Sequence, residues 1–179
     1  NITPAQVTVK ADNKSKVYGA TDPALTATVT GLVNNESQSL IIYTIARQSG
    51  EAAGTYTITP SGAATQGNYS VKFETGTFTI TSKPIVDPDD PTKTMVTNDP
   101  SNVTYNGLDQ KWEPVVKDGN TVLVKDTDYT VTYSADTKNV GQVKVTITGI
   151  NNYSDSVKKT YNITPAQVTV KADNKSKVY

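Results

Sequence analysis

The sequence contains no cysteine and no histidine, and it has a single arginine, Arg47, and a single tryptophan, Trp112. Without a thiol or an imidazole, the chain cannot build a cysteine nucleophile, a Ser-His-Asp triad, or a zinc, copper or haem site with His or Cys ligands. Most enzyme chemistry is therefore excluded. We expect that the protein is not an enzyme and that it needs no cofactor.

The sequence also lacks an excess of charge of either sign. It has 17 basic and 17 acidic side chains, and the lysines are scattered along the chain. This pattern gives no electrostatic footprint for nucleic acid or for an anionic membrane. No run approaches the roughly 20 apolar residues of a membrane span, and the N-terminus lacks the order of a signal peptide. We expect a soluble segment of a longer protein, with no nucleic-acid partner and no membrane insertion.

The residues that are abundant predict an all-β fold. The chain has 29 Thr, 21 Val and 10 Tyr, which are the residue types that fit a pleated, half-buried surface. Apolar residues alternate with Thr or Lys in five segments, 6–10, 55–59, 77–81, 129–133 and 143–148. Clean alternation favours antiparallel sheets with one buried face. Asp118-Gly119 predicts a hairpin turn, and only residues 34–40 could form a helical turn.

An exact internal repeat is present. Residues 1–18 recur letter for letter at 162–179, which gives a period of 161 residues. Identity over eighteen positions of mixed composition does not arise by chance. We therefore interpret the chain as one full period of a head-to-tail array together with the opening of the next period.

Within the period, a weaker echo divides the chain into two modules. Tyr-Gly at 18–19 is matched by Tyr-Asn-Gly at 105–107, and Asn-Tyr-Ser at 68–70 is matched at 152–154. Between the modules lies a segment rich in proline and aspartate. We predict a first β module at 1–82, a linker at 83–92 that proline extends, a second module at 93–164, and the start of the next copy at 165–179.

The first module resembles a known family. The residues that carry the resemblance are Lys16-Val17-Tyr18-Gly19, Asp22-Pro23-Ala24-Leu25, Val29-Thr30-Gly31-Leu32-Val33, Arg47, Gly50-Glu51, Gly54-Thr55-Tyr56 and Gly67-Asn68-Tyr69. They are similar to the MBG-type repeat of the YGX variety, which occurs in tandem in large bacterial surface proteins. The second module, over about residues 95–164, resembles another repeat of bacterial surface and adhesin proteins.

The resemblance implies a fold, a location and a role. We expect two tandem antiparallel Ig-like β-sandwich modules, with β-grasp-like modules carrying one short helix as the alternative. The resemblance implies an extracellular location at the bacterial cell surface and supplies no catalytic residues. It favours a structural repeat unit of an adhesin, stalk or filament that acts as a rigid spacer and contacts neighbouring repeats of the same chain or fibre.

An acidic cluster is the weak candidate for a metal site. Asp87, Asp89 and Asp90 lie close together in the predicted linker. Oxygen ligands of this kind suit calcium, but the spacing differs from that of an EF-hand loop and the prolines restrict wrapping. The prediction is a solvated linker with no metal, and calcium binding is the alternative.

Exposed aromatic residues are the weak candidates for a ligand site. Trp112 lies between Lys111 and Glu113, and Tyr105 precedes a turn. Aromatic side chains of this kind stack on sugars and anchor protein contacts. The alternative function is therefore a repeated, weak binding module for a host glycan or protein, which gains avidity from repetition.

Two further hypotheses concern links within and between chains. A cysteine-free surface protein rich in Lys and Asn can be stapled by a Lys–Asn isopeptide bond, but the sequence alone does not select the residues. The second hypothesis concerns the copy at 162–179, which repeats the opening strand of the first module. Such a strand either frays or pairs with a neighbouring molecule in place of residues 1–18.

Overall fold

The computed structural model describes residues 3–134 and 136–179, and it is built from strands. The strands are β1 Ala5–Ala11, β2 Lys14–Val17, β3 Ala27–Thr30, β4 Thr44–Arg47, β5 Gly54–Ser61, β6 Thr65–Gln66, β7 Tyr69–Glu74, β8 Gly76–Thr81, β9 Lys83–Pro84, β10 Val103–Thr104, β11 Lys117–Asp118, β12 Thr121–Val122, β13 Tyr129–Tyr133, β14 Gly141–Gly149, β15 Tyr153–Ser154 and β16 Ser156–Thr164. A 3₁₀ turn at Gln38–Leu40, capped by Ser37, lies where the helical turn was predicted. The all-β prediction is confirmed.

The described chain forms two compact units. The first unit comprises the residues up to Pro84 together with Ile150–Ser154, and the second comprises Ile85–Gly149 and Asp155–Tyr179. The segment predicted as a linker holds the short strand β9, the fully buried Ile85 and a bridge between Val86 and Thr94. None of the helices in the described part of the chain is long and apolar enough to cross a membrane.

Two four-stranded sheets make the first unit. Their strand orders are β3-β1-β7-β6 and β2-β8-β5-β4. Apolar positions of one sheet form a cluster that includes Val7, Val9 and Tyr69, and the other sheet contributes Ile58 and Phe78 to a second cluster. The alternation in the sequence thus points the apolar residues into the core and leaves the threonines exposed.

The chain passes from one sheet of the first unit to the other at two neighbouring places. β1 is followed by β2, and β7 is followed by β8. β1 pairs in parallel with β7, and β2 pairs in parallel with β8. Alternation predicted the buried faces and the antiparallel pairs, such as β5 with β8. These two parallel pairs arise because the opening strands of the unit lie beside its last long strands.

The second unit has one four-stranded sheet, in the order β10-β16-β14-β13. β14 and β16 are nine residues each, and their inward side chains, including Val145, Ile147 and Ile163, are essentially inaccessible to solvent. The predicted hairpin also forms, as β11 and β12. Its tip is Gly119-Asn120 rather than Asp118-Gly119, because Gly119 takes the positive φ (57°) at the first central position.

The copied segment differs from its original. In the first copy, Val7 and Val9 are buried in β1, whereas Val168 and Val170 are 85% and 90% exposed. Residues 165–179 are exposed and belong to neither helix nor strand. Identical sequences therefore occupy two different environments. The first copy pairs with β3 and β7, whereas residues 165–179 are in no strand.

Candidate functional site

The first unit contains a charged quartet, formed by Lys16, Asp22, Arg47 and Glu51. Lys16 lies on β2 and Arg47 ends β4, while both acids lie in loops. The Lys16 and Arg47 side chains are only 5% and 10% exposed, although each carries a full charge. Charges this poorly hydrated need partners.

Each carboxylate of the quartet contacts both cations. The Arg47 Nε and Nη2 donate to the two oxygens of Asp22 over 2.5 and 3.2 Å, and Lys16 Nζ lies 2.7 Å from Asp22 Oδ1. Glu51 accepts from both Lys16 and Arg47. With two positive and two negative charges, the quartet is neutral. It joins β2, the end of β4 and the two loops that carry the acids.

The guanidinium of Arg47 also contacts aromatic rings and backbone carbonyls. Its Cζ lies 4.8 Å from the centre of the Phe78 ring and 5.6 Å from that of Tyr56, within the range of cation–π attraction. Nη1 donates to the carbonyls of Gln48 and Gly50 over 2.9 and 2.7 Å. The planar group thus contacts two aromatic rings while its N–H groups donate to carbonyls and carboxylates, a combination that lysine could not provide.

Gly50 is required by the same contacts. Its φ is +141°, and a Cβ placed on it would overlap the Tyr56 ring. A side chain at this position would therefore displace Tyr56 or pull the Gly50 carbonyl away from Arg47. This explains why glycine directly precedes Glu51 in the motif.

The quartet stabilises the charged form of every member. Arg47, and then Lys16, lowers the pKa of Asp22 to about 2. Lys16, and then Arg47, lowers the pKa of Glu51, and the two acids in turn raise the pKa of Lys16. An amide crosslink between Lys16 and a carboxyl would need a neutral amine and a protonated acid, with loss of water. Both pKa shifts oppose that state, so the arrangement favours ion pairs over a covalent staple.

The residues of this unit carry the family motif, and comparison with known families agrees. Residues 7–79 match the MBG domain of the YGX type. This confirms the resemblance of the first module. Domains of this type are associated with bacterial surface proteins. The chain matches none of the curated proteins with which it was compared. In the YGX-type unit, the Lys16, Asp22, Arg47 and Glu51 positions of the motif are the members of the quartet.

In the second unit, three tyrosines hold the segment that carries Trp112. Tyr161, Tyr133 and Tyr129 donate their hydroxyls to the carbonyls of residues 110, 112 and 114, the last two over 2.6 and 3.4 Å. Burial raises the pKa of all three phenols, and burial together with the nearby Glu113 carboxylate raises that of Tyr133 to about 12. The tyrosines therefore act as neutral donors that position residues 110–114, which have no strand of their own.

The predicted aromatic candidates lie near a shallow groove of the second unit. The groove has a volume of about 250 Å³ and is lined by Trp112, Lys111, Gln110 and three other residues. Trp112 is half-buried, and Tyr105, at 38% exposed, is not part of the lining. The structure thus places Trp112 in the groove beside Tyr161, and the other predicted aromatic candidate, Tyr105, does not line it.

The acidic candidates Asp87, Asp89 and Asp90 lie in one turn, where two of them already have partners. Asp87 Oδ1 accepts the backbone N–H groups of Asp89 and Asp90 over 3.0 and 3.3 Å. Asp90 accepts from Thr92 and pairs with Lys93. Within residues 3–134 and 136–179, no three acidic, His or Cys side chains are grouped to hold a metal ion. The hydrogen bonds give the two carboxylates a turn-capping role, and calcium binding stays a prediction.

Sequence reasoning did not identify the quartet as a unit or the tyrosine contacts. The quartet members are spread over residues 16–51, and only the solitary arginine in a lysine-rich chain could have drawn attention to the site. The three tyrosines and their acceptors are separated by 15 to 51 residues. No local pattern brings such residues together.

Proposed function

We propose that this chain is a structural repeat segment of a bacterial surface protein and that its role is to span distance. The observation that carries the proposal is the position of the repeat relative to the fold. The copy that begins at Asn162 overlaps the end of β16 at Thr164, and Pro165 alone separates β16 from the residues that correspond to β1. The period therefore ends in one unit and starts the next almost without a linker.

The internal chemistry of the units supports this role. The least hydrated charges of the YGX-type unit pair with one another, and the buried phenols of the second unit donate to the backbone. In both clusters the polar groups are occupied with holding loops in place. Such groups stabilise a structural module rather than bind a substrate, and we propose no catalytic role.

The length of the array tests the proposal. We expect each period to add about 60–80 Å, because modules built from strands of up to ten residues are about 30–40 Å long. X-ray scattering should be measured on proteins with one and two periods. The maximum dimension should rise nearly in proportion to the number of periods. A two-period protein no longer than the single one would contradict the spacer.

A control addresses the junction. Replacing Pro165 by a flexible Gly/Ser segment in the two-period protein should broaden the distance distribution, because proline fixes φ and restricts the residue before it. If the distribution is equally broad with Pro165 in place, the spacer is flexible rather than rigid.

The groove beside Trp112 favours a second candidate, a weak glycan or protein site that repetition would strengthen. Its test is a glycan array probed with the one-period and two-period proteins and with a Trp112→Ala variant. Binding that rises with the number of periods and is lost in the variant would support it. Equal signals from the native protein and the variant would argue for the spacer alone.

A further inference from the structure

A turn from late in the sequence, which carries Asn152 and Tyr153, packs within the first unit. The Tyr153 ring lies edge-on to the ring of Tyr18, with 5.5 Å between their centres. Asn152 Oδ1 accepts the Ala53 N–H over 2.8 Å, and the Asn152 carbonyl accepts the Lys83 N–H over 2.9 Å. This turn, called the Asn152 turn below, therefore contacts the Tyr-Gly motif and two backbone N–H groups.

The first unit contains a second turn of the same kind, called the Asn68 turn below. Gly67 and Asn151, which precede the two asparagines, both have a φ of 57°. The Asn68 carbonyl accepts the Ala5 N–H over 2.9 Å, and both turns lead into a strand with a parallel partner, β7 with β1 and β15 with β9. The Asn68 side chain, however, is exposed and makes no hydrogen bond with the residues that the structure describes. It is the equivalent of the Asn152 side chain without the acceptor role.

The second unit repeats the tyrosine that the Asn152 turn contacts. The Tyr105 N–H donates to the Thr164 carbonyl over 2.8 Å, as the Tyr18 N–H does to the Thr81 carbonyl. The glycine that ends each motif, Tyr-Gly or Tyr-Asn-Gly, has a φ of 80° in both units. Tyr105 is 38% exposed, whereas Tyr18 packs on another ring. Tyr105 therefore offers the same ring surface without a cover.

The second unit also repeats the backbone donor. In each unit, the glycine that begins the long antiparallel strand, β5 or β14, lies opposite an isoleucine of β8 or β16 and has a φ of 156° or 154°. Ala53 and Val140 directly precede these two glycines. The Ala53 N–H donates to Asn152, whereas the Val140 N–H has no acceptor in the described part of the chain, and Val140 is 53% exposed.

The spacing along the chain relates the two surfaces. In the first unit, the donor to the Asn152 turn lies two residues after the threonine that accepts from the Tyr-Gly tyrosine. Ala166 likewise lies two residues after Thr164. It is the copy of Ala5, whose N–H donates to the carbonyl of the Asn68 turn. The Asn68 turn of a following period is therefore held at the same distance along the chain from its tyrosine as the Asn152 turn.

We propose that Tyr105 and the Val140 N–H form a docking surface for the Asn68 turn of the following period. In this contact, Asn68 Oδ1 accepts the Val140 N–H, and the turn covers the Tyr105 ring. The occupant is a second copy of the same sequence, because only that copy carries both the turn and the strand that Ala166 begins. The inference rests on the head-to-tail array and not on the spacer role, since an array without this contact would still lengthen with each period.

Residue-resolved amide hydrogen exchange, measured by NMR, tests the proposal. In the one-period chain, the Val140 amide should exchange like an exposed amide, and the Ala53 amide should be protected. In a two-period protein, only the Val140 of the first period is followed by an Asn68 turn. Half of the Val140 amides should therefore become protected by about tenfold, as expected for one hydrogen bond. Equally fast exchange of all Val140 amides would overturn the proposal.

Two asparagine variants serve as matched controls. Asn68→Ala in both periods of the two-period protein should return every Val140 amide to the one-period rate. In the one-period chain, the same substitution should leave the melting temperature unchanged, because the Asn68 side chain makes no hydrogen bond there. Asn152→Ala should instead expose the Ala53 amide and leave Val140 protected. Protection of Val140 that survives Asn68→Ala would contradict the docking surface.

X-ray scattering on the same two proteins separates this inference from the proposed function. A maximum dimension that rises with the number of periods, combined with an unprotected Val140 amide, would retain the spacer and reject the contact. A protected Val140 amide without such a rise would support the contact and reject the spacer.

Discussion

Val9 and Val170 offer an unusual comparison, because the same residue in the same local sequence is buried in one place and exposed in another. Val9 is 0% exposed and lies opposite Val29 and Phe73, whereas Val170 is 90% exposed. Val9→Ala removes two buried methyl groups, which contribute about 1.6 kcal/mol by transfer alone. The cavity left behind raises the expected loss to about 2–3 kcal/mol.

Amide hydrogen exchange would measure that loss of stability within the first unit itself. Amides of β1 and β7 should exchange about 30- to 140-fold faster in Val9→Ala, which corresponds to the expected loss of stability. The melting temperature of the first unit should fall by about 8–24 °C, given its size of about 90 residues. The single tryptophan lies in the second unit, so its fluorescence monitors the unaltered part of the chain.

Val170→Ala is the matched control, and its stability should stay within about 0.5 kcal/mol of the native value. Equal effects of the two substitutions would refute the reasoning. So would an acceleration of exchange in β1 of less than about threefold.

Two further predictions concern pH. Because the pKa of Asp22 is lowered from 3.8 to about 2, the quartet should stabilise the fold fully above about pH 4 and lose that contribution as the pH falls through 2. Arg47→Gln should reduce the fall in melting temperature between about pH 4 and pH 2. Lys125→Gln, which removes an exposed ion pair of the other unit, should leave that fall unchanged. The pKa of Tyr133 is raised from 10.0 to about 12, so its contribution should be complete below pH 10 and lost between pH 10 and 12. Tyr133→Phe should cost about 1 kcal/mol, since the Trp112 carbonyl loses its donor, and should remove one late-titrating phenol from the ultraviolet titration. An unchanged titration would contradict the assignment.

The sequence predicted the parts of the fold that depend on local pattern. Alternation placed β13 at its observed bounds and located β1, β5, β8 and β14. This works because a strand with one buried face repeats every two residues, so the pattern and the structure have the same period. The predicted position of the hairpin tip was wrong by one residue, because both Asp118-Gly119 and Gly119-Asn120 have residue types that can form the turn.

Long-range neighbours were harder to predict. The alternating pattern predicts which face of β1 is buried. It does not predict that β7 pairs with β1 in parallel, because parallel and antiparallel neighbours would leave the same alternating pattern in β1. The quartet posed the same difficulty. Arg47 and Asp22 are 25 residues apart, and their pairing depends on where two loops meet the end of β4. The family resemblance marked these positions, and the structure shows that their side chains pair with one another.

The parallel pairing of the opening and closing strands has a mechanical consequence for a protein under tension. If β1 is pulled towards its N-terminus and β8 towards its C-terminus, the ladders β1–β7 and β2–β8 slide along their length. Their hydrogen bonds then resist together instead of opening one after another, as they would in an unzipping hairpin. We expect single-molecule pulling to give a higher rupture force for this unit when it is stretched end to end than when a handle attached at Thr28 peels β3 away. Equal forces would show that the ladders carry no load.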